Sequence, residues 1–419
     1  MDQILLNYDL FNFVEKKILD EYLCSNAHPS QIQKAKLLKR IALNYFEAIP
    51  RLAKLYFEEG DYEMELYWVK IGIDKNVNYC FYRMGIICMK GRENFDINTD
   101  MALYYFKLAD ERNIISSKFQ IGMILDKQGN SEEAIKYFME VASLINWEKK
   151  ERAIAIHKIG GYYERGNGVE KDYLTALYWY RMGEVLIYPP SIFCIGRLYE
   201  HGGPGLEQNY QIAHHYYYIC ATTFENQYAK YEVGLLYEKG LGVPQSLKTA
   251  YLWYRSAAGN GQTNGIYQLG TLYESGVHED NFILEKNVNE ALRLYKIASD
   301  ERNYYEANIR LGKIYKHGMY IEAPLNHQLS FEYFKKSENN PEAQYHIGTF
   351  YELGLLGNVN ISDALMYYNL SANQNYAPAI HHLGKIYQDG VLVEKNIQLS
   401  QEYLQKAEQL GFIDNYNST

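Results

Sequence analysis

Cysteine is scarce in this sequence: five in 419 residues, Cys24, Cys80, Cys88, Cys194 and Cys220, with no CxxC pair among them. An odd count without paired spacing excludes a disulfide framework and a zinc knuckle alike. Cys80 and Cys88 fall on one expected helix, where eight steps place them about 12 Å apart, too far for a disulfide. Reduced, structural thiols follow. An excess of positive charge is lacking as well. Lysine and arginine number 42 against 51 aspartates and glutamates, and the net charge of −9 leaves no basic footprint for nucleic acid or anionic lipid. No apolar run approaches the roughly 18 to 20 residues of a membrane-spanning helix. The opening MDQILLNYDLFNF has neither a basic leader nor a small-residue cleavage site, so a soluble intracellular protein is expected. Prolines, nine in all, are few for the length, which suits packed helices.

Catalytic signatures are missing too. The glycine clusters GNG, GLG and GGPG follow no strand, which removes the context a dinucleotide fingerprint needs. Neither HExxH, GxSxG, HRD nor a phosphate-loop GxxxxGK occurs. No catalytic residue, cofactor or metal centre is expected.

What is abundant is tyrosine, 43 residues that help raise the aromatic fraction to 15%. The rings recur on a period. The pattern apolar, Gly, x, apolar, Tyr returns at Gly85, Gly122, Gly160, Gly196, Gly234, Gly270, Gly312, Gly348 and Gly384, spaced by 37, 38, 36, 38, 36, 42, 36 and 36, with a weak copy on Ala53. Self-similarity at such a period marks a repeat architecture. Five residues before the glycine the side chain is small, as in Cys80, Ser117, Ala155, Ser191 and Ala229, and three after it is usually tyrosine. Positions four apart form one stripe of a first helix. A glycine inside that helix costs about 1 kcal/mol against alanine, so its recurrence implies that another helix approaches too closely for a β-carbon. A second helix carries its own stripe, as in Ala250, Trp253, Tyr254, Ala257 and Ala258. Pro50, Pro189, Pro341 and Pro378 fall in the first turn of first helices, where a missing amide proton costs nothing. The loops, such as EKGLGV, place their first glycine where a helix C-cap needs a left-handed residue.

The order A-x-Y-x-L-G-x-L-Y-E-x-G-x-G-V followed by A-x-x-W-Y-x-x-A-A, fullest in Tyr231 to Ala258 and Tyr163 to Gly183, resembles the Sel-1-like repeat, a longer-looped relative of the tetratricopeptide repeat. The copies on Ala53 and Gly122 have short loops and look closer to the tetratricopeptide form. The resemblance implies an all-α, right-handed superhelical solenoid of about ten antiparallel helix-turn-helix repeats over residues 46–410. Residues 1–45 are expected to cap it, with helices near Asp2 to Cys24 and Gln31 to Asn44, and 411–419 to form a polar tail. It also implies a non-enzymatic scaffold or adaptor whose partners are other proteins or extended peptides, with no nucleic acid and no membrane insertion.

A solenoid offers a concave wall, expected here from positions three before and one, four and five after the glycine, which should lie opposite the buried stripe of the first helix. One row then holds the rings Phe193, Tyr231, Tyr267 and Tyr345, and another the acids Glu200, Glu238 and Glu274. A ring ladder beside an acidic stripe suits an extended partner with apolar and basic side chains. Alternatively, the rings wedge between adjacent first helices while each glutamate, which opposes the helix dipole, ties down its own loop. His346 and His382 share one slot in adjacent repeats, but stacked helices keep equivalent atoms about 10 Å apart, which argues against a metal pair. A different class of function, an enzyme or regulatory subunit, would use the long loops 274–289 and 316–328.

Overall fold

The structure, a computed structural model, describes residues 29–91, 96–146, 148–279 and 282–412. It divides into two compact units, Met1–Gln208 and Asn209–Thr419. In the first, α1 (Pro29–Ala42) precedes four helix pairs: α2 (Ile49–Glu58) with α3 (Tyr62–Asp74), α4 (Asn78–Lys90) with α5 (Thr99–Glu111), α6 (Ser116–Lys127) with α7 (Ser131–Ser143), and α8 (Lys149–Arg165) with α9 (Tyr173–Val185). Helix α10 (Pro189–His201) follows them. The second unit opens on α11 (Tyr210–Thr223) and continues through α12 (Gln227–Lys239) with α13 (Leu247–Gly259), α14 (Thr263–Ser275) with α15 (Val288–Lys296), and α16 (Tyr305–His317) with α17 (His327–Lys336). It closes on α18 (Pro341–Leu353) with α19 (Ile361–Asn373), and α20 (Ala377–Asp389) with α21 (Ile397–Gln409). The expected all-α solenoid of tandem helix pairs is what forms. The expected helix at Asp2 to Cys24 and the tail beyond residue 412 lie outside the described residues; α1 overlaps the other expected N-terminal helix, Gln31 to Asn44.

Each second helix starts for the same chemical reason. Asp61, Asn98, Asn130, Asp172, Asn209, Ser246, Asn287, Asn326, Asn360 and Asn396 sit at its N-cap, each accepting a hydrogen bond from an amide of the first turn. The cap amide in turn donates to the carbonyl of the residue three after the glycine, as in Asp172 to Tyr163 at 2.9 Å and Asn326 to Tyr315 at 2.8 Å. One residue thus both starts a helix and closes its hairpin.

Seven of the mid-helix glycines meet a ring rather than a backbone, and Gly384 meets Leu404. A β-carbon on Gly160 would lie 2.7 Å from the Tyr180 ring, on Gly234 2.7 Å from Tyr254, and on Gly348 2.6 Å from Tyr368, all rings of the paired second helix. Those tyrosines are buried, with relative exposure of 1%, 0% and 0%. Small residues join successive hairpins: Gly72 abuts Cys80, Gly183 abuts Ser191, and Ala257 abuts Gly265. Cys80, Cys88, Cys194 and Cys220 are all buried free thiols, and burial pushes the Cys80 thiol up to about 12.

The loops dock each hairpin on the one before it. In the short form the second glycine does so, since a β-carbon on Gly168 would stand 2.6 Å from the Glu132 amide nitrogen, at the start of α7. Gly242 sits equally close to the Tyr210 backbone, and both glycines have left-handed φ, 70° and 71°. Where the spacing lengthens to 42, the extra residues form an antiparallel hairpin, β1 (Val277–Glu279) with β2 (Phe282–Leu284). Glu279 then reaches the N-terminus of α13, accepting from Ser246 Oγ at 2.7 Å and the Lys248 amide at 2.9 Å. A carboxylate at a helix N-terminus complements its dipole, so Glu279 serves the docking role that glycine serves elsewhere.

Candidate protein-interaction surface

At 100° per residue, the positions three before and four after the glycine stand about 60° and 40° from it on the helix wheel. They therefore border the packed stripe, and the expectation that they lie opposite it is corrected. Positions one and five after, at about 100° and 140°, turn farther outward. The burial follows this geometry. Phe193, Tyr231, Tyr267 and Tyr345 are half-buried rather than open. Tyr231 rests on Tyr254 with centroids 5.9 Å apart, Tyr267 on Tyr295 and Tyr304 at 5.4 Å each, and Tyr345 on Tyr368 at 5.7 Å and Tyr376 at 5.9 Å. Each of these three rings packs one part on its hairpin and leaves another part to solvent.

The carboxylates four after the glycine are engaged. Glu164 accepts from the Tyr180 hydroxyl at 2.6 Å and from Arg197 of the next first helix at 2.7 Å. Glu238 accepts from the Tyr254 hydroxyl. Glu274 accepts from Tyr295 at 2.6 Å, from Arg310 Nε at 3.0 Å and from Tyr320 of the 316–328 loop at 2.6 Å. Glu352 binds the Tyr368 hydroxyl and pairs with His382 Nε2 at 2.8 Å. Asp126 accepts from Tyr162 at 2.5 Å and Lys158 at 2.7 Å. Burial alone raises the Glu274 and Glu352 carboxyls, but the hydrogen bonds from Arg310, Tyr295 and Tyr320, and from His382 and Tyr368, outweigh it and hold both below the usual range. Where Glu164, Glu274 and Glu352 stand, the acid fixes a tyrosine of its own second helix and a basic residue of the next hairpin. Glu200 is 18% exposed, with His201 Nδ1 at 4.0 Å.

The Gly85, Gly312 and Gly384 hairpins lack this pair, and at Gly312 a base replaces the acid. Four after Gly312 stands Lys316, and the ring against that glycine is Phe334, which has no hydroxyl. Lys316 Nζ donates to Thr349 Oγ1 at 2.5 Å, and burial pulls its amine down to about 8. Burial beside Lys316 likewise pulls His346 down to about 3. Hydroxyl and carboxylate are both missing in this hairpin, and the pairing of Tyr180 with Glu164, Tyr254 with Glu238, Tyr295 with Glu274 and Tyr368 with Glu352 was a signal available in the sequence, whereas Asp126 stands beside Phe138 and turns to Tyr162 of the next hairpin instead. No group of three or more His, Cys, Asp or Glu side chains converges among the described residues. None of their helices is long and apolar enough to cross a membrane.

The Sel1 repeat family matches eight segments, 82–111, 153–183, 192–219, 227–262, 263–303, 306–340, 341–376 and 377–412. The hairpins on Ala53 and Gly122 are the two it leaves out. Chitin synthase regulatory factor 2 of Schizosaccharomyces pombe is 24% identical over 210 residues, 47% of this chain and 40% of that protein. The ERAD-associated E3 ubiquitin-protein ligase component HRD3B of Arabidopsis thaliana is 33% identical over 103 residues, 24% of this chain and 16% of that protein. This chain thus spans less than half the length of these relatives. Among solved structures, a protective antigen of uropathogenic Escherichia coli displaying an SLR fold aligns with a TM-score of 0.57 at 18% identity, covering 91% of both chains. A Sel1 repeat protein from Oxalobacter formigenes aligns at 0.56 and 18% identity over 77% of this chain and 90% of that one. With the repeat signature spread over most of its length and the helix pairs that signature encodes, the chain belongs to the Sel1 repeat family.

Proposed function

We propose that the protein is a non-enzymatic adaptor that holds a partner protein against its first helices. The observation that carries this reading is the row of half-exposed rings at one helical position, Phe193 in the first unit and Tyr231, Tyr267 and Tyr345 in the second. Aromatic side chains already held on one side lose little freedom on binding and are the usual anchors of interfaces. Two relatives are named as a regulatory factor and as a ligase component, and both names describe proteins that work through another protein. In this reading Glu200, Glu238 and Glu274 are positioning residues, setting the height and tilt of the ring-bearing helices. The loops 274–289 and 316–328, the alternative functional elements, send Glu279 to α13 and Tyr320 to Glu274, which favours a structural role for both.

The test begins with a partner captured from the native source, identified by mass and then purified. Tyr231→Ala and Tyr267→Ala should each weaken its binding by about 2 kcal/mol, roughly thirtyfold in Kd, while leaving more than nine-tenths of the helical signal at the binding temperature. Unaltered affinity in both folded variants would remove the ring row from the interface.

A further inference from the structure

We infer that the first-helix surface of the first unit is basic at its outer edge and takes an acidic, extended segment of the partner, which it grips in a cleft between α8 and α10. The inference rests on the adaptor reading and adds the chemistry of what is bound. The cleft has a volume of about 490 Å³ and is lined by Glu164, Arg165, Lys171, Tyr173, Arg197 and His201 among others. Three cations there face a single carboxylate, in a chain whose net charge is −9. Glu164 and Arg197 pair with each other, and Glu164 also binds the Tyr180 hydroxyl, so the excess positive charge of the cleft is that of Arg165 and Lys171. The Lys171 ammonium lies 4.8 Å above the Tyr173 ring, so an aromatic surface borders the charge.

The cleft is one member of a row. Five residues after the glycine stand Lys90, Lys127, Arg165 and His201, all exposed. In the second unit the same position holds Lys239, Ser275, His317, Leu353 and Asp389, so the basic run belongs mainly to the first. The acids one residue earlier point back into the packing and the bases point out, which reverses the sign of the surface from that suggested by the acidic row. Adjacent first helices are bridged directly, α6 to α8 through Asp126 and Lys158 and α8 to α10 through Glu164 and Arg197. Helices in contact stand about 8 to 10 Å apart, and one turn of an extended polyproline II segment, three residues that bring every third side chain back to the same face, spans about 9 Å. An extended segment crossing the helices therefore presents an acid to Lys127, Arg165 and His201 in turn if every third residue is acidic.

The experiment uses the full chain and fluorescein-labelled twelve-residue peptides of one composition, with glutamates either at every third position or clustered at one end. Fluorescence polarisation at low salt and at about 150 mM salt reads the affinity, since charge steering weakens as the Debye length falls. The periodic peptide should bind at least tenfold tighter than the clustered one. Arg165→Glu with Lys171→Glu, both exposed and away from the packed stripe, should abolish that preference without moving Tm. Equal binding of the two peptides, or a preference the double variant retains, overturns the proposal. So does displacement of the periodic peptide by a single-stranded oligonucleotide at equal charge, which would assign the row to phosphates instead. If the captured partner needs Tyr231 but ignores Arg165 and Lys171, the adaptor reading stands and this inference falls.

Discussion

Gly234→Leu should lower the stability of the second unit by about 3 kcal/mol, at the upper end of the usual cost of overpacking. Even the first added carbon meets the Tyr254 ring at 2.7 Å. That ring has nowhere to go: it is fully buried, and its hydroxyl is tied to Glu238. Gly234→Ala is the sharper comparison, because alanine gains about 1 kcal/mol of helix propensity and should nevertheless come out destabilised. The clash is with one side chain, so Tyr254→Leu in the same chain should recover part of the loss, giving a coupling of at least about 0.5 kcal/mol in a double-mutant cycle. Urea unfolding of the four proteins measures it. Strict additivity, or a Gly234→Ala variant more stable than the parent, would mean the glycine is not there to admit the ring.

Glu65→Ala should cost more, about 3 to 5 kcal/mol, the usual loss when one member of a buried ion pair is removed. Glu65 occupies, in α3, the place that Ala102, Ala134, Ala176 and Ala250 occupy in later second helices. Its side chain is fully buried and paired with Arg83 of α4, itself only 13% exposed. Without the carboxylate, the guanidinium stays in the core beside Phe57, whose ring lies 5.1 Å away. Glu65→Ala with Arg83→Met should restore most of the loss, since a buried pair replaced by apolar side chains is often neutral. A thermal melt of the parent, the single variant and the double variant measures both effects. A single variant within 1 °C of the parent would show that the pair is solvated.

The repeat, its period and the packing glycines were legible because helical spacing writes them directly into the sequence. The small residues at Cys80, Ser191 and Gly265 and the rings at Tyr180, Tyr254 and Tyr368 take the roles their spacing suggested. The orientation of the candidate surface was not read correctly. Phe193, Tyr231, Tyr267 and Tyr345 stand beside the packed stripe because three residues back is about 60° around the helix, and only the wheel, not the row itself, distinguishes beside from opposite. The fate of the acids depended on groups far away in sequence: Glu274 meets Arg310 and Tyr320, 36 and 46 residues on. Exchange of Tyr and Glu for Phe334 and Lys316 in one hairpin was the available clue to that pairing. The β1–β2 hairpin could be seen only as extra length, since three-residue strands carry no usable alternation.

In the proposed function the first-helix rows hold the partner. Hydrogen exchange of the purified protein, alone and saturated with its captured partner, tests it most directly. Amides of α8, α10, α12 and α14 and of the turns that follow them should gain protection, with the second helices changed much less. Protection confined to the second helices, around exposed side chains such as Tyr178, Leu252 and Met366, would place the partner on the other side of the hairpins and contradict the account.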